Sequence, residues 1–157
     1  MEKKAYFAGG CFWGTEHYFK QIRGVISTEV GYANGNTSNP TYEEVYTDTT
    51  GFAECVKICY DSDVVELRLL LEMFFRSIDP TSLNRQGNDV GTRYRTGIYY
   101  TSTDDIATVS PILYGSCYDF ILQRVVKKNK IIGKATYTNP QIFIICRCIL
   151  CVYQVFF

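Results

Sequence analysis

The feature that most constrains this chain lies near its start. Lys4-Ala5-Tyr6-Phe7-Ala8 is a short apolar run, followed at once by Gly9-Gly10 and then by Cys11-Phe12-Trp13. An apolar run that stops at a glycine pair reads as a buried strand with a tight exit. The residues from about Cys11 to Lys20 suit a helix that ends before Gly24. Val25 to Ala33 predicts a second strand, closed by Asn34-Gly35, a pair that tolerates positive φ. A strand that turns into a helix and returns as a strand requires two layers. The chain is therefore expected to be an α/β (α+β) domain with a mixed sheet.

The same alternation continues. Asn39-Pro40 starts a turn, and Thr41 with Glu44 three residues on fits a capping box for a short helix. From Ala53 to Tyr60 the residues alternate: Glu54, Val56, Ile58 and Tyr60 share one face, and Ala53, Cys55, Lys57 and Cys59 the other. Asp63 and Glu66 repeat the capping pattern ahead of a predicted helix over about 64–76, whose apolar stripe is Leu67, Leu70, Leu71, Phe74 and Ile78. Asp79-Pro80 ends it. Residues 80–93 read as a loop with Gly87-Asn88-Asp89 and Gly91 as turn formers, and Tyr94 to Thr101 as a third strand.

A length of 157 residues fits one domain spanning 1–157. With 46% hydrophobic and 20% charged residues, the chain is neither disordered nor fibrous. Sixteen basic residues cancel sixteen acidic ones, which leaves no excess to hold a phosphate backbone and argues against nucleic acid. No apolar stretch reaches about 18 residues, so no membrane span is expected. The segment after Met1 is too short for a secretory signal, and the expectation is a cytoplasmic protein. The neutral total hides an asymmetry: residues 1–110 hold ten basic and fifteen acidic side chains, whereas residues 111–157 hold six basic and only Asp119. Seven cysteines cannot all pair within one chain. Residues 142–157 are apolar apart from Arg147 and Gln154 and carry no helical period, which fits either a core strand pair or sequence foreign to the fold.

Cys11 is the strongest candidate for chemistry. Glycines allow close approach of a substrate, and a helix N-terminus favours the thiolate form of a cysteine, which is the nucleophile. The competing reading is a small buried core thiol. Phe12 and Trp13 beside it suit an apolar cup for a methyl or thioether group, or ordinary core packing. Glu54 lies on the apolar face of its strand. Desolvation there raises a carboxyl pKa and keeps a proton available for general acid work; the alternative is an edge Glu paired with Lys or Arg. His17, the only histidine, sits about 240° around the helix from Cys11, so a Cys–His dyad is not expected. Cys146-x-Cys148-x-x-Cys151, with Cys117, resembles a zinc spacing only loosely, and no metal is expected.

Gly10-Cys11-Phe12-Trp13-Gly14 resembles the signature of the peptide methionine sulfoxide reductase A family. Further segments support it in order: Gly31-Tyr32, Asn39-Pro40-Thr41-Tyr42, Thr50-Gly51-Phe52-Ala53-Glu54, Asp79-Pro80 and Gly87-Asn88-Asp89-Val90-Gly91-Thr92-Arg93-Tyr94-Arg95. The resemblance covers about residues 4–105. It implies a two-layer, ferredoxin-like plait and a thiol-based reduction of methionine S-sulfoxide, peptide-bound or free, in repair of proteins after oxidative stress. Cys11 would attack the sulfoxide sulfur. Glu54, Tyr42 and Tyr94 would hold and protonate its oxygen. Phe12 and Trp13 would receive the ε-methyl group, and Asp89 would set substrate hydrogen bonds. The implied partners are oxidised proteins or peptides, free methionine sulfoxide and thioredoxin or another dithiol, acting on a monomer without metal or organic cofactor. The rival readings are a degenerate, non-catalytic homologue that binds methionine peptides, and a thiol peroxidase.

Two departures stand out. Phe52 occupies a position that is usually His in the family. After residue 110 there is no Tyr-His-Gln-type segment and no terminal Gly-Tyr-Cys, so the family's resolving cysteine has no counterpart; Cys117, Cys146, Cys148 and Cys151 are candidates by availability alone. The divergence of residues 106–157, poor in acids and rich in cysteine, is what an altered reading frame near residue 106 would produce. Translating the coding DNA in the other two frames tests that.

Overall fold

The computed structural model describes residues 1–79 and 82–99, together with the strand backbone of residues 155–156. Strand β1 (Glu2–Gly9) leads through Gly10 into helix α1 (Phe12–Phe19). Strand β2 (Val25–Ala33), helix α2 (Tyr42–Tyr46), strand β3 (Ala53–Asp61) and helix α3 (Leu67–Ser77) follow. A small hairpin of β4 (Arg85–Gln86) and β5 (Asp89–Val90), a 3-10 turn (Thr92–Tyr94) and strand β6 (Thr96–Tyr99) complete the main body, and β7 (Val155–Phe156) is a two-residue strand. The main sheet has the order β6-β1-β3-β2-β7.

Leaving β7 aside, this is the β-α-β-β-α-β pattern of a ferredoxin-like plait. Strand β3 lies between β1 and β2, with Phe7 opposite Val56, and Tyr32 opposite Glu54. A mixed sheet was the expectation. Every pairing among the described residues is instead antiparallel, because the helices return the chain so that β3 separates β1 from β2.

The period-two reading of β3 explains where the core forms. Val56, Ile58 and Tyr60 face the helices and meet Ala5 and Phe7 of β1 with Phe19, Leu70, Leu71, Phe74 and Phe75. The Phe7 ring stacks on Phe74 at 4.9 Å and tilts against Phe19 at 5.2 Å. Tyr6, Ala8, Ala33, Ala53, Cys55 and Tyr99 form a second buried cluster on the opposite face. Among the described residues no helix is long and apolar enough to cross a membrane.

Local signals hold well where they are short-ranged. Thr41 Oγ1 accepts the Glu44 N–H, and the Glu44 carboxylate accepts the Thr41 N–H, which completes the capping box. Two boundaries move. Helix α3 starts at Leu67 with Glu66 as its N-cap, not near residue 64, because the Asp63 carboxylate takes the Met1 ammonium at 2.7 Å and caps nothing. Tyr94 belongs to the 3-10 turn and not to the strand, which begins at Thr96. Residues 100 and 101, and Cys117, Cys146, Cys148 and Cys151, lie outside the described residues.

Candidate active site

The exit from β1 shapes the site. Gly10 adopts φ +93°, a conformation that side chains other than hydrogen rarely accept, and turns the chain into α1. Cys11 then stands as the N-cap, half-buried, and its side chain makes no capping hydrogen bond. Its carbonyl accepts the Thr15 N–H at 3.2 Å and the Thr15 hydroxyl at 3.3 Å, so the first helical turn is tied to it. A helix start leaves several N–H groups without intrahelical partners. Two side chains from elsewhere take the first of them. Gln86 Oε1 accepts the Cys11 N–H at 2.7 Å, and Glu54 Oε2 accepts the Phe12 N–H at 2.9 Å.

Glu54 is only 4% exposed. Its place on the helix-facing side of β3, which the alternation of residues 53–60 predicts, carries the carboxyl under the start of α1. Burial is the main cause that pushes its pKa above the ordinary carboxylate value, and the Asp89 charge adds to it; the Phe12 N–H and the Arg93 cation act in the opposite direction. Across the sheet stands Tyr32, whose phenol is pushed up to about 12 by burial first and then by the charge of Glu54 and its neighbours Tyr42 and Glu43. Tyr94 is raised chiefly by burial, with Glu54 and Asp89 as the carboxylates that act on it and Arg93 opposing them. Glu54, Tyr94, Asp89 and Arg93 thus share one electrostatic neighbourhood, and Tyr42 enters it through Tyr32.

The aromatic residues split by depth. Phe12 is buried and sits 5.1 Å from the edge-on Trp13 ring and 5.8 Å from Tyr32. Trp13 is 62% exposed and Tyr42 53% exposed, so both rings border solvent. This is a buried apolar floor with an open aromatic rim. Asp89 is exposed and lies opposite Gln86 in the small hairpin. His17 is exposed on α1, as its helical position relative to Cys11 predicts. Cys55 is fully buried in the cluster on the other face, where burial pushes its thiol up. Among the described residues no group of three or more His, Cys, Asp and Glu is placed to hold a metal ion.

Sequence patterning misses three residues that build this site: Gln86, Asp48 and Arg93. Asp48 follows α2 at φ +60°. Its carboxylate accepts the Thr92 hydroxyl at 3.2 Å, the Arg93 N–H at 3.3 Å and Arg93 Nη1 at 2.9 Å. The Arg93 guanidinium also lies over the Tyr46 ring at 4.3 Å and the Tyr94 ring at 4.6 Å. One ion pair therefore couples the helix that carries Tyr42 to the turn that carries Tyr94. Replacing Asp48 with alanine leaves a buried guanidinium without its anion and strains a left-handed residue. A loss of about 2–3 kcal/mol in urea denaturation is expected, below the range for a fully buried pair because Asp48 is partly exposed. Asp48→Asn, which tolerates this backbone and keeps an acceptor, should lose clearly less.

Comparison with known proteins places these residues in context. A family model described as peptide methionine sulfoxide reductase matches residues 3–118. A peptide methionine sulfoxide reductase from Lachnoclostridium phytofermentans is 56% identical over 113 residues, which covers 72% of this chain and 68% of the relative. A methionine sulfoxide reductase A structure from Corynebacterium diphtheriae superposes with a TM-score of 0.71 at 34% identity, covering 87% of this chain and 62% of that one. Mxr1 from Saccharomyces cerevisiae in reduced form superposes with a TM-score of 0.66 at 39% identity, covering 71% of this chain and 66% of that one. Mxr1 has also been solved in complex with Trx2, and that structure superposes with a TM-score of 0.50 at 30% identity, covering 71% of this chain and 63% of that one. The chain thus spans slightly less than two thirds of these solved relatives.

Proposed function

The chain belongs to the peptide methionine sulfoxide reductase family, and on that premise we propose that it reduces the S epimer of methionine sulfoxide to methionine. Both oxidised proteins or peptides and the free amino acid serve as substrate. Cys11 attacks the sulfoxide sulfur. Glu54 delivers a proton to the oxygen as negative charge grows there, and the Tyr42 and Tyr94 hydroxyls donate hydrogen bonds to it. Phe12 and Trp13 receive the methyl group, and Asp89 orients the polar part of the substrate. The oxygen passes to the enzyme: sulfoxide and thiol become thioether and sulfenic acid. A second thiol then condenses with the sulfenic acid, releases water and leaves a disulfide. Thioredoxin or a similar dithiol reduces that disulfide, and no metal or organic cofactor enters any step. The complex of the yeast relative with Trx2 supports thioredoxin as the partner. We read the protein as a monomeric, cytoplasmic repair enzyme in the response to oxidative stress.

The observation that carries this reading is the hydrogen bond from Phe12 N–H to the buried Glu54 carboxyl. It sets a protonatable group one residue from the thiol, which is the pairing that nucleophilic attack with oxygen protonation requires. The thiol that resolves the sulfenic acid is a separate matter. Cys55 and Cys59 are both buried, which makes them poor resolving thiols. Residues 1–157 are read as one reductase domain; the family's short motifs are missing after residue 105, and the family model's match ends at residue 118.

Incubation of a methionine sulfoxide peptide with the protein and dithiothreitol tests the reading, because a small dithiol bypasses any resolving cysteine. Methionine should accumulate over many turnovers. The yield with thioredoxin in place of dithiothreitol then measures recycling separately. Absence of methionine with both reductants overturns the assignment, and leaves the non-catalytic homologue as the function of this fold.

A further inference from the structure

We propose that Gln86 is a positioning residue that holds the thiol-bearing turn in its reactive geometry, one side-chain amide gripping the turn on both sides of Gly10. The inference rests on the reading of Cys11 as the attacking thiol. Gln86 Oε1 accepts the Cys11 N–H at 2.7 Å, and Gln86 Nε2 donates to the Gly9 carbonyl at 3.0 Å. The two bonds bracket the one residue of this turn with positive φ. A Cβ added to Gly10 would collide with the Gln86 side chain, so the amide fills the space that the glycine leaves open. Glycine is thus required here for its backbone angle and for the closeness of Gln86.

Without this side chain the turn loses its two ties around Gly10 and keeps only those that Thr15 and Glu54 make to the start of the helix and the pairing of Gly9 with Thr96. The Cys11 N–H lies outside the helical ladder, since an N-cap residue has no intrahelical acceptor for it. The Gly9 carbonyl would lose the Gln86 donor, and glycine loses more conformational freedom on ordering than any other residue. Glu54 secures the next amide, at Phe12. Consecutive N–H groups at 11 and 12 are therefore mounted on side chains from two different strands, β4 and β3. Gln86 is also the cross-strand partner of Asp89. The hairpin that grips the thiol's backbone thereby carries the carboxylate on the substrate side of the site. One short hairpin sets the spacing between the two.

Misplacement of a reacting group by about 1 Å can cost on the order of 10²-fold in rate. Gln86→Met keeps the length of the side chain and removes both hydrogen bonds. With dithiothreitol as reductant, this variant should lose about 10- to 100-fold in kcat, while KM for the sulfoxide stays within about twofold, because substrate binding is left in place. The melting temperature should fall by no more than a few degrees, about 4 °C. The rate of Cys11 alkylation by iodoacetamide in the folded protein should change several-fold in parallel. A kcat within twofold of the parent, or a loss that follows the unfolded fraction, overturns the proposal. The alkylation rate needs no sulfoxide turnover. If the parent proves inactive on sulfoxides, an altered alkylation rate in Gln86→Met still supports the positioning role, and an unchanged one refutes it. Should the Met variant fail to fold, Gln86→Glu reads the same quantities: it keeps an acceptor for the Cys11 N–H and loses the donor to Gly9, and an unchanged kcat there counts equally against the role.

Discussion

Cys11→Ser should abolish sulfoxide reduction while leaving the fold intact. The hydroxyl of serine is nearly the size of the thiol it replaces, but it is a far weaker nucleophile near neutral pH and cannot form the sulfenic acid on which the cycle depends. Loss of a nucleophile of this kind costs roughly 10⁴–10⁶-fold in kcat, so methionine should fall below detection with either reductant. Stability should move the other way, if at all. Cys11 is the N-cap of α1 and its side chain accepts no helical N–H, whereas serine is a favoured N-cap whose oxygen readily does so. Mass-spectrometric detection of methionine, paired with a thermal melt of the same samples, separates lost chemistry from lost structure. In the parent protein, a sulfenic-acid trap should label Cys11 when sulfoxide is added without reductant. Equal turnover by the serine variant would transfer the reaction to another of the seven cysteines and dissolve the site described here.

What the sequence reveals of this site follows the range of the interactions involved. The capping box at Thr41 and Glu44 joins residues three apart, and the pattern alone finds it. Glu54 is legible because period-two alternation places it among Val56, Ile58 and Tyr60, where a carboxyl is out of keeping with its neighbours. The helix start before Leu67 is misplaced because Asp63 has two possible partners, a helix N-terminus and the Met1 ammonium, and only the assembled sheet edge decides between them. Gln86 and Asp48 are illegible for a related reason. Gln86 sits in a two-residue strand, too short for any period, and reaches Cys11 from 75 positions away. Asp48 follows a five-residue helix and pairs with Arg93 at a separation of 45. No local signal marks either contact. The family resemblance points at their neighbours, Gly87-Asn88-Asp89 and Tyr94, and passes over the residues that hold those neighbours in place.

Glu54→Gln should lower the single-turnover rate of methionine formation by about 10²–10⁴-fold, the usual contribution of a positioned general acid. The amide keeps the shape of the side chain and an oxygen to accept the Phe12 N–H; it gives up the transferable proton. The pH dependence is the sharper part of the expectation. Burial above all, with Asp89 adding to it, holds the Glu54 pKa above its ordinary value of 4.5 against the opposing pull of the Phe12 N–H and Arg93. Only the protonated acid can serve the oxygen, so the parent's rate should decline as pH climbs through that raised value. The same limb should be missing from the glutamine variant, whose rate is low throughout. Stability follows the linked sign. A carboxyl raised on folding contributes most below its unfolded pKa, and that contribution is lost as pH rises through the folded one. The glutamine variant, neutral at every pH, should therefore gain on the parent in urea denaturation as pH rises from the ordinary carboxylate value toward the raised one, and the gain should level off where the parent's rate begins to fall. Rate and stability curves that bend at one common pH identify a single buried proton as the source of both. A descending rate limb that survives in Glu54→Gln would instead assign the proton to a phenol, with Tyr94, the raised neighbour of Glu54, as its bearer.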